Sequence, residues 1–222
     1  MPCWCCNLAE TKPEFMKSIL LSCAAFLAMA LTPVFAQELA IGEPAPMPDA
    51  PMVGVDGEKH TLNSLKQENG LLVVFSCNTC PFVVGNGNKT EGWEGRYNGV
   101  AAFAAERQVG TVLVNSNEAK REGDDSFPAM RKHAKEAGYT MPYLMDEGSK
   151  LANNMGARTT PHIYLFDGDM NLVYRGSIDD NVNRAEDVEE RYLENALERL
   201  ATGKKIKVAE TKAVGCSIKR VK

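Results

Sequence analysis

Apolar residues fall along this chain in short blocks separated by glycine, proline and acidic turns. Leu71-Leu72-Val73-Val74-Phe75 carries no polar alternation, the pattern of a strand buried on both faces. Gly110-Thr111-Val112-Leu113-Val114-Asn115 repeats the pattern and predicts a second buried strand. Residues 52–55 and 59–62 flank Asp56-Gly57, predicting a tight hairpin. Residues 159–166 predict a strand with Pro161 near its head, turned at Asp167-Gly168 into an antiparallel partner over 172–175. A proline in that place marks a sheet edge or a cis peptide.

Helical periodicity is clearest over 185–200, where Val188, Tyr192, Ala196 and Leu200 share a face and acidic residues crowd the start. Ser126-Phe127-Pro128 opens a helix running to about Ala137, with Gly138 behind it, and residues 148–155 form a short one. After Pro81 the helical pattern is poor. Gly85, Gly87, Gly92, Gly95 and Gly99 each cost about 1 kcal/mol inside a helix relative to alanine. The expectation there is a broken element: one turn over 82–84, a loop near 86–89, and a second helix over about 90–107. Trp93 and Tyr97 would share one face of that helix. These elements predict an α/β fold: a central mixed sheet, helices on both faces and an N-terminal β-hairpin.

Composition narrows the function class. The 222 residues carry a formal net charge of −4 and no basic run of the kind nucleic acid selects, so nucleic acid is not an expected partner. From Met16 the sequence reads as a secretory signal peptide: Lys17, an apolar stretch over 19–31, then Val34-Phe35-Ala36 before a predicted cleavage. That stretch is shorter than the roughly 20 apolar residues of a spanning helix. Membrane contact is therefore expected only through this segment, if it stays uncleaved. Residues 1–15 read as translated upstream sequence, 16–36 as the signal peptide and 37–222 as one exported, periplasmic domain. The cluster Cys3, Cys5, Cys6 has no second half-site to complete a metal cage. Beyond Ala36 the cysteines are Cys77, Cys80 and Cys216. In an oxidising compartment an odd number suggests a redox pair and a third thiol with its own task.

Cys77-Asn78-Thr79-Cys80-Pro81 follows the first buried strand directly. Together with Gly42-x-Pro44-Ala45-Pro46, Val55-Asp56-Gly57 and Thr160-Pro161 before an apolar strand, it resembles the thioredoxin-like redoxins. The resemblance is greatest to their peroxiredoxin-like branch, related to alkyl hydroperoxide reductase and thiol-specific antioxidant proteins. Two later stretches, Tyr174-Arg175-Gly176-Ser177-Ile178-Asp179-Asp180 and Gly215-Cys216-Ser217-Ile218-Lys219, resemble that branch's C-terminal signatures. The resemblance covers about residues 41–219. It implies a thioredoxin-like fold, a cis Pro161 facing the active-site thiol, and Thr160 lining a substrate groove. It also implies a thiol-disulfide oxidoreductase that needs no cofactor and exchanges with protein or small-molecule thiols and an electron-donor redox protein.

Within that resemblance, counting from Phe75 gives the nucleophile's place to Cys80. Pro81 suits a first helical position, which would put Cys80 at the N-cap, where free N–H groups favour a thiolate. The resemblance puts a second cysteine three residues later, where this chain has Val83. Three pairings stay open: Cys77 resolves Cys80, Cys216 resolves it, or the cysteines form an inert structural disulfide. A peroxidase would place a hydroxyl three residues before the nucleophile, where Cys77 stands, and an arginine near Pro161, where Arg158 is displaced. Weak thiol peroxidase activity is the alternative on that branch. A non-enzymatic alternative joins Cys77, Cys80 and His162 in a soft copper(I) site, against the plainer expectation of a strand histidine satisfied by a neighbour. His60 and His133, on a hairpin and a helix, have no partners that the sequence names.

Overall fold

The computed structural model describes Met1, residues 37–87 and residues 89–221; the expected signal peptide and upstream segment lie outside the described residues. Among the described residues no helix is long and apolar enough to cross a membrane. The domain is built on β3 (Gly70–Ser76), all seven residues of which are buried. It lies between β4 (Val109–Asn115), which it joins in parallel, and β7 (His162–Asp167), which it joins antiparallel. The edges are completed by β1 (Met52–Gly54), β2 (Lys59–His60), β5 (Tyr143–Met145) and β8 (Leu172–Gly176), in the order β2-β1-β5-β4-β3-β7-β8. This is the expected mixed sheet, with the predicted hairpin as β1–β2 at one edge.

Alternation along β3 builds two cores. Leu72 and Val74 face one side with Cys77 and Cys80; Leu71, Val73 and Phe75 face the other. Each such side chain, fully buried, stabilises the fold by about 1.5–3 kcal/mol. The first side is covered by α3 (Glu94–Ala105), α4 (Phe127–Glu136) and α6 (Tyr192–Ala201), through Tyr97, Val100, Met130, Leu193 and Leu197. The second is covered by α1 (Leu62–Leu65) and α5 (Lys150–Met155), through Leu62, Leu151 and Met155. Helices on both faces are therefore present as expected.

Three elements depart from the sequence pattern. The broken element after Pro81 exists as α2 (Pro81–Val84) and α3, but α3 starts at Glu94 rather than near Thr90. Gly92 sets that boundary. It has φ +71°, and a Cβ there would lie 2.2 Å from the carbonyl oxygen of Val83, so only glycine lets the loop close onto α2. Trp93 is consequently the N-cap, and its side chain is buried in the first core together with that of Tyr97, as the spacing predicts. The helix expected over 185–200 begins only at Tyr192, after a 3₁₀ turn over Ala185–Asp187. Asp180 Oδ1 captures the backbone N–H of Glu189, which a helix started at Ala185 would donate to the Ala185 carbonyl. Its buried face is Leu193, Ala196 and Leu197, rotated by one residue from the predicted stripe.

The third departure is in the tail. A second, two-stranded sheet pairs β6 (Thr159–Thr160) with β9 (Cys216–Ser217), antiparallel, with Thr160 opposite Cys216. The strand predicted over 159–166 is thus cut at Pro161, whose peptide bond with Thr160 is cis, and its two halves belong to different sheets.

Candidate active site

Cys77 is the first residue beyond β3, and Cys80 is the N-cap of α2 with Pro81 in the first turn, as the spacing requires. The four-residue loop they bound is pinned from below. Asp125 Oδ1 accepts from the backbone N–H of Asn78 at 3.0 Å, and Tyr143 donates its hydroxyl to Asn78 Oδ1 at 2.9 Å. Asn115 donates to both Asp125 and Tyr143, which closes a buried network beneath the loop. The sequence did not mark Asp125: nothing in Asp124-Asp125 distinguishes the buried carboxylate from its exposed neighbour.

Thr160 meets both sulfurs. Its Oγ1 lies 3.1 Å from Cys77 Sγ, and its carbonyl oxygen, 3.1 Å from Cys80 Sγ, accepts the Cys80 proton when that thiol carries one. Cys216 reaches the same point from β9. All three are free thiols; Cys77 and Cys80 are buried, at 2% and 4% exposure, and Cys216 is half-buried. The structure thus brings together Cys77, Cys80, Cys216, Thr160 and Pro161.

The electrostatics separate the three sulfurs. Cys80 is lowered to about 5: hydrogen bonding from Cys77 is the largest cause, burial opposes it, and the side chain and backbone of Cys216 and the backbone N–H of Phe82 add to it. The Cys77 thiol is pushed far up, by its bond to the Cys80 sulfur and then by burial. Cys216 is raised to about 11, first by burial and then by its bond to Cys80 and the Cys80 charge, with Lys219 opposing. The site therefore holds one negative charge, on Cys80, solvated by two thiols. The free helix N–H groups contribute as expected, through Phe82, but helix α2 is a single turn ended at Gly85, and the bond from Cys77 is the larger cause.

His162 is not at this site. Ile163 and Leu165 pack with the cysteines, whereas Tyr164 and Phe166 pack on the other side of the sheet. His162 has the parity of the second set, and its ring centroid lies 4.7 Å from that of Tyr164. Its Nδ1 accepts from the backbone N–H of Arg158 at 3.4 Å, and burial, then the charges of Arg175 and Arg158, lower it to about 3. The copper(I) constellation Cys77, Cys80, His162 is not assembled. Among the described residues no group of three or more histidine, cysteine or carboxylate side chains is placed to hold a metal ion. Arg158, the displaced arginine of the peroxidase pattern, pairs with Glu38 with its side chain two-thirds exposed.

The sequence matches the Redoxin family over residues 40–195. The chain belongs to the Redoxin family. Among solved structures, this redoxin is similar to an uncharacterized conserved protein from Geobacillus kaustophilus, with TM-score 0.72 and 31% identity over 83% of this chain and 94% of that one. It is also similar to a hypothetical protein from Sinorhizobium meliloti 1021, with TM-score 0.73 and 29% identity over 83% of this chain and 97% of that one. Peroxiredoxin Q from Xanthomonas campestris shares the fold, with TM-score 0.51 and 14% identity over 74% of this chain and 96% of that one. No curated protein matches the sequence. Membership of the family supports thiol redox chemistry, in the oxidoreductase class, for this redoxin.

Proposed function

We propose that this redoxin is an exported thiol-disulfide oxidoreductase in which Cys80 is the nucleophile and Cys77 the resolving thiol. The observation that carries the reading is the asymmetry of the pair. Cys80 is lowered to about 5 and ionised at neutral pH, while Cys77, hydrogen-bonded to it, keeps its proton. A thiolate attacks a disulfide sulfur, and the mixed disulfide is then opened by the neighbouring thiol. When Cys80 becomes part of a mixed disulfide its charge is gone, and with it the coulombic and hydrogen-bond causes that hold Cys77 protonated. Burial then remains as the main cause against ionisation, opposed by the bond from Thr160, and Cys77 gives up its proton more readily to attack. Thr160 Oγ1 holds the Cys77 sulfur, and the Thr160 carbonyl, beside the cis Pro161, takes the Cys80 proton whenever that thiol is neutral.

The expected partners are protein or small-molecule thiols and disulfides, with an electron-donor redox protein regenerating the pair and no cofactor involved. The signal-like segment over 16–36 supports export to the periplasm. Slow reaction with peroxides is expected of an ionised cysteine. Fast peroxidase chemistry is not favoured, because Cys77 stands where a hydroxyl would position the peroxide and Arg158 is engaged elsewhere.

The test is exchange with a disulfide-bonded protein substrate under a dithiol reductant. Cys80→Ser is expected to reduce turnover by at least about 10³-fold, and Cys77→Ser to slow it by removing the Cys77–Cys80 disulfide that closes the cycle. Turnover that survives Cys80→Ser would sink the reading.

A further inference from the structure

A nucleophile that is 4% exposed poses a problem of access, and the structure shows what covers it. Two stretches that carry C-terminal signatures meet here. Ser177, in the first, donates its hydroxyl to the carbonyl of Lys212, and its N–H donates to Thr211 Oγ1. Residues 212–217 then cross from β8 to β6. At the far end Ile218 is buried in the second core and its N–H bonds the carbonyl of Arg158 at 2.9 Å. Lys219 N–H bonds Asn117 Oδ1 at 2.8 Å, and the Lys219 carbonyl accepts from Ala119. The segment is a strap tied at both ends, and β9 is its middle.

Gly215 sets how closely the strap lies. A Cβ there would sit 2.3 Å from the carbonyl oxygen of Thr160, the group that also receives the Cys80 thiol. Only glycine lets Cys216 settle on Cys80. Of the three sulfurs gathered here, Cys216 alone has appreciable surface.

We propose that Cys216 is a relay cysteine, and that the buried Cys77–Cys80 pair exchanges electrons with external dithiols and disulfides through a transient Cys80–Cys216 disulfide on the strap. The proposal rests on the thiol-disulfide reading and gives it a route. From the oxidised pair, the Cys216 thiolate attacks Cys80 Sγ. The Cys216–Cys80 bond forms, the Cys77–Cys80 bond breaks, and Cys77 leaves as a thiolate that takes up the proton Cys216 gave up. A thiolate of an external dithiol then attacks Cys216 Sγ and expels Cys80 as its stable thiolate. The partner's second thiolate expels Cys216, releasing the partner as a disulfide. Two electrons have moved from the external dithiol to the Cys77–Cys80 pair, and the reverse sequence reduces an external disulfide. Cys80 is well suited to the second step, because a low-pKa thiol leaves faster. Burial keeps the Cys216 thiol raised, but the bond to Cys80 and its charge, which add to that, are absent while Cys80 is in a disulfide.

The experiment uses the full chain. In Cys77→Ser, mild oxidation with diamide followed by non-reducing peptide mapping is expected to give a Cys80–Cys216 cross-link as the main intramolecular product. Exchange with a reduced, unfolded cysteine-containing protein is expected to slow at least tenfold in Cys216→Ser. Gly215→Ala keeps all three thiols and lifts the strap, so it is expected to slow exchange and to lower the cross-link yield. Wild-type rates in Cys216→Ser, or no Cys80–Cys216 cross-link in Cys77→Ser, overturn the relay and leave the reading of the Cys77–Cys80 pair standing. Absence of wild-type turnover with every partner overturns that reading instead, and the cross-link arm then decides alone whether Cys80 and Cys216 bond.

Discussion

The single negative charge on Cys80 rests on its neighbours' S–H groups more than on any helix. That has a consequence at the level of one atom. Thiolate absorbance of the reduced protein is expected to appear with a midpoint near pH 5, the value to which Cys77, against burial, and Cys216 bring Cys80. Cys77→Ala removes the largest lowering cause and should move the midpoint up, towards the ordinary thiol value of about 8.5. Cys77→Ser retains a hydroxyl donor and should restore much of the shift. A midpoint unmoved by Cys77→Ala would place the stabilisation elsewhere. The position of Cys80 at the mouth of a helix was legible in Phe75 and Pro81. Its electrostatics were not, because they depend on a loop shape that turns Cys77 onto Cys80 and, in smaller part, on Cys216, 136 positions away.

Among the elements, α3 and α4 are locked to one another close to the thiols by a carboxylate no motif announces. Glu94 Oε1 lies 2.5 Å from His133 Nε2 and also accepts from the hydroxyl of Tyr139. Burial pushes the Glu94 carboxyl up, and the bonds from His133 and Tyr139 more than cancel it, leaving it below the usual range. His133 is raised above its ordinary 6.5 by its bond to Glu94, against burial. A raised histidine contributes stability that is fully present below the unfolded value near 6.5 and is lost as pH rises through the higher folded value. Glu94, held low, contributes above its unfolded value near 4.5, and that contribution is lost as pH falls through the folded value. Urea unfolding across pH should therefore show the clamp at full strength between those two unfolded values. His133→Gln should cost about 1–2 kcal/mol there and flatten the decline above it. An unchanged pH profile in that variant would contradict the assignment. Strand and helix identity in this region was readable from periodicity; the clamp was not, since His133 looks like any polar residue on a helix face. The late start of α6 escaped for a related reason: Val188 keeps the helical spacing, and the capture of the Glu189 N–H by Asp180 leaves no periodic trace.

Across the whole molecule two continuous apolar runs and two hairpins made the mixed sheet legible, the motif resemblance implied the thioredoxin-like fold, and the strand order came only with the structure. What could not be read is the closure of the site by the chain's own end. β9 is two residues long in a polar tail, too short for a period of two to register, and its partner β6 is visible only once Pro161 separates it from β7. With the strap in place, Gly215-Cys216-Ser217-Ile218-Lys219 and Tyr174-Arg175-Gly176-Ser177 become parts of one device that ties a third thiol to a buried pair. The central claim is that these sulfurs are a working redox centre governed by Cys80. Equilibrating the protein in graded dithiol–disulfide buffers and mapping its cysteines by mass spectrometry tests that most directly. The account predicts a reversible two-electron transition in which Cys80 is in the disulfide of the oxidised form and which Cys80→Ser abolishes. A disulfide that persists in strong reductant, or a transition unchanged by Cys80→Ser, would contradict it.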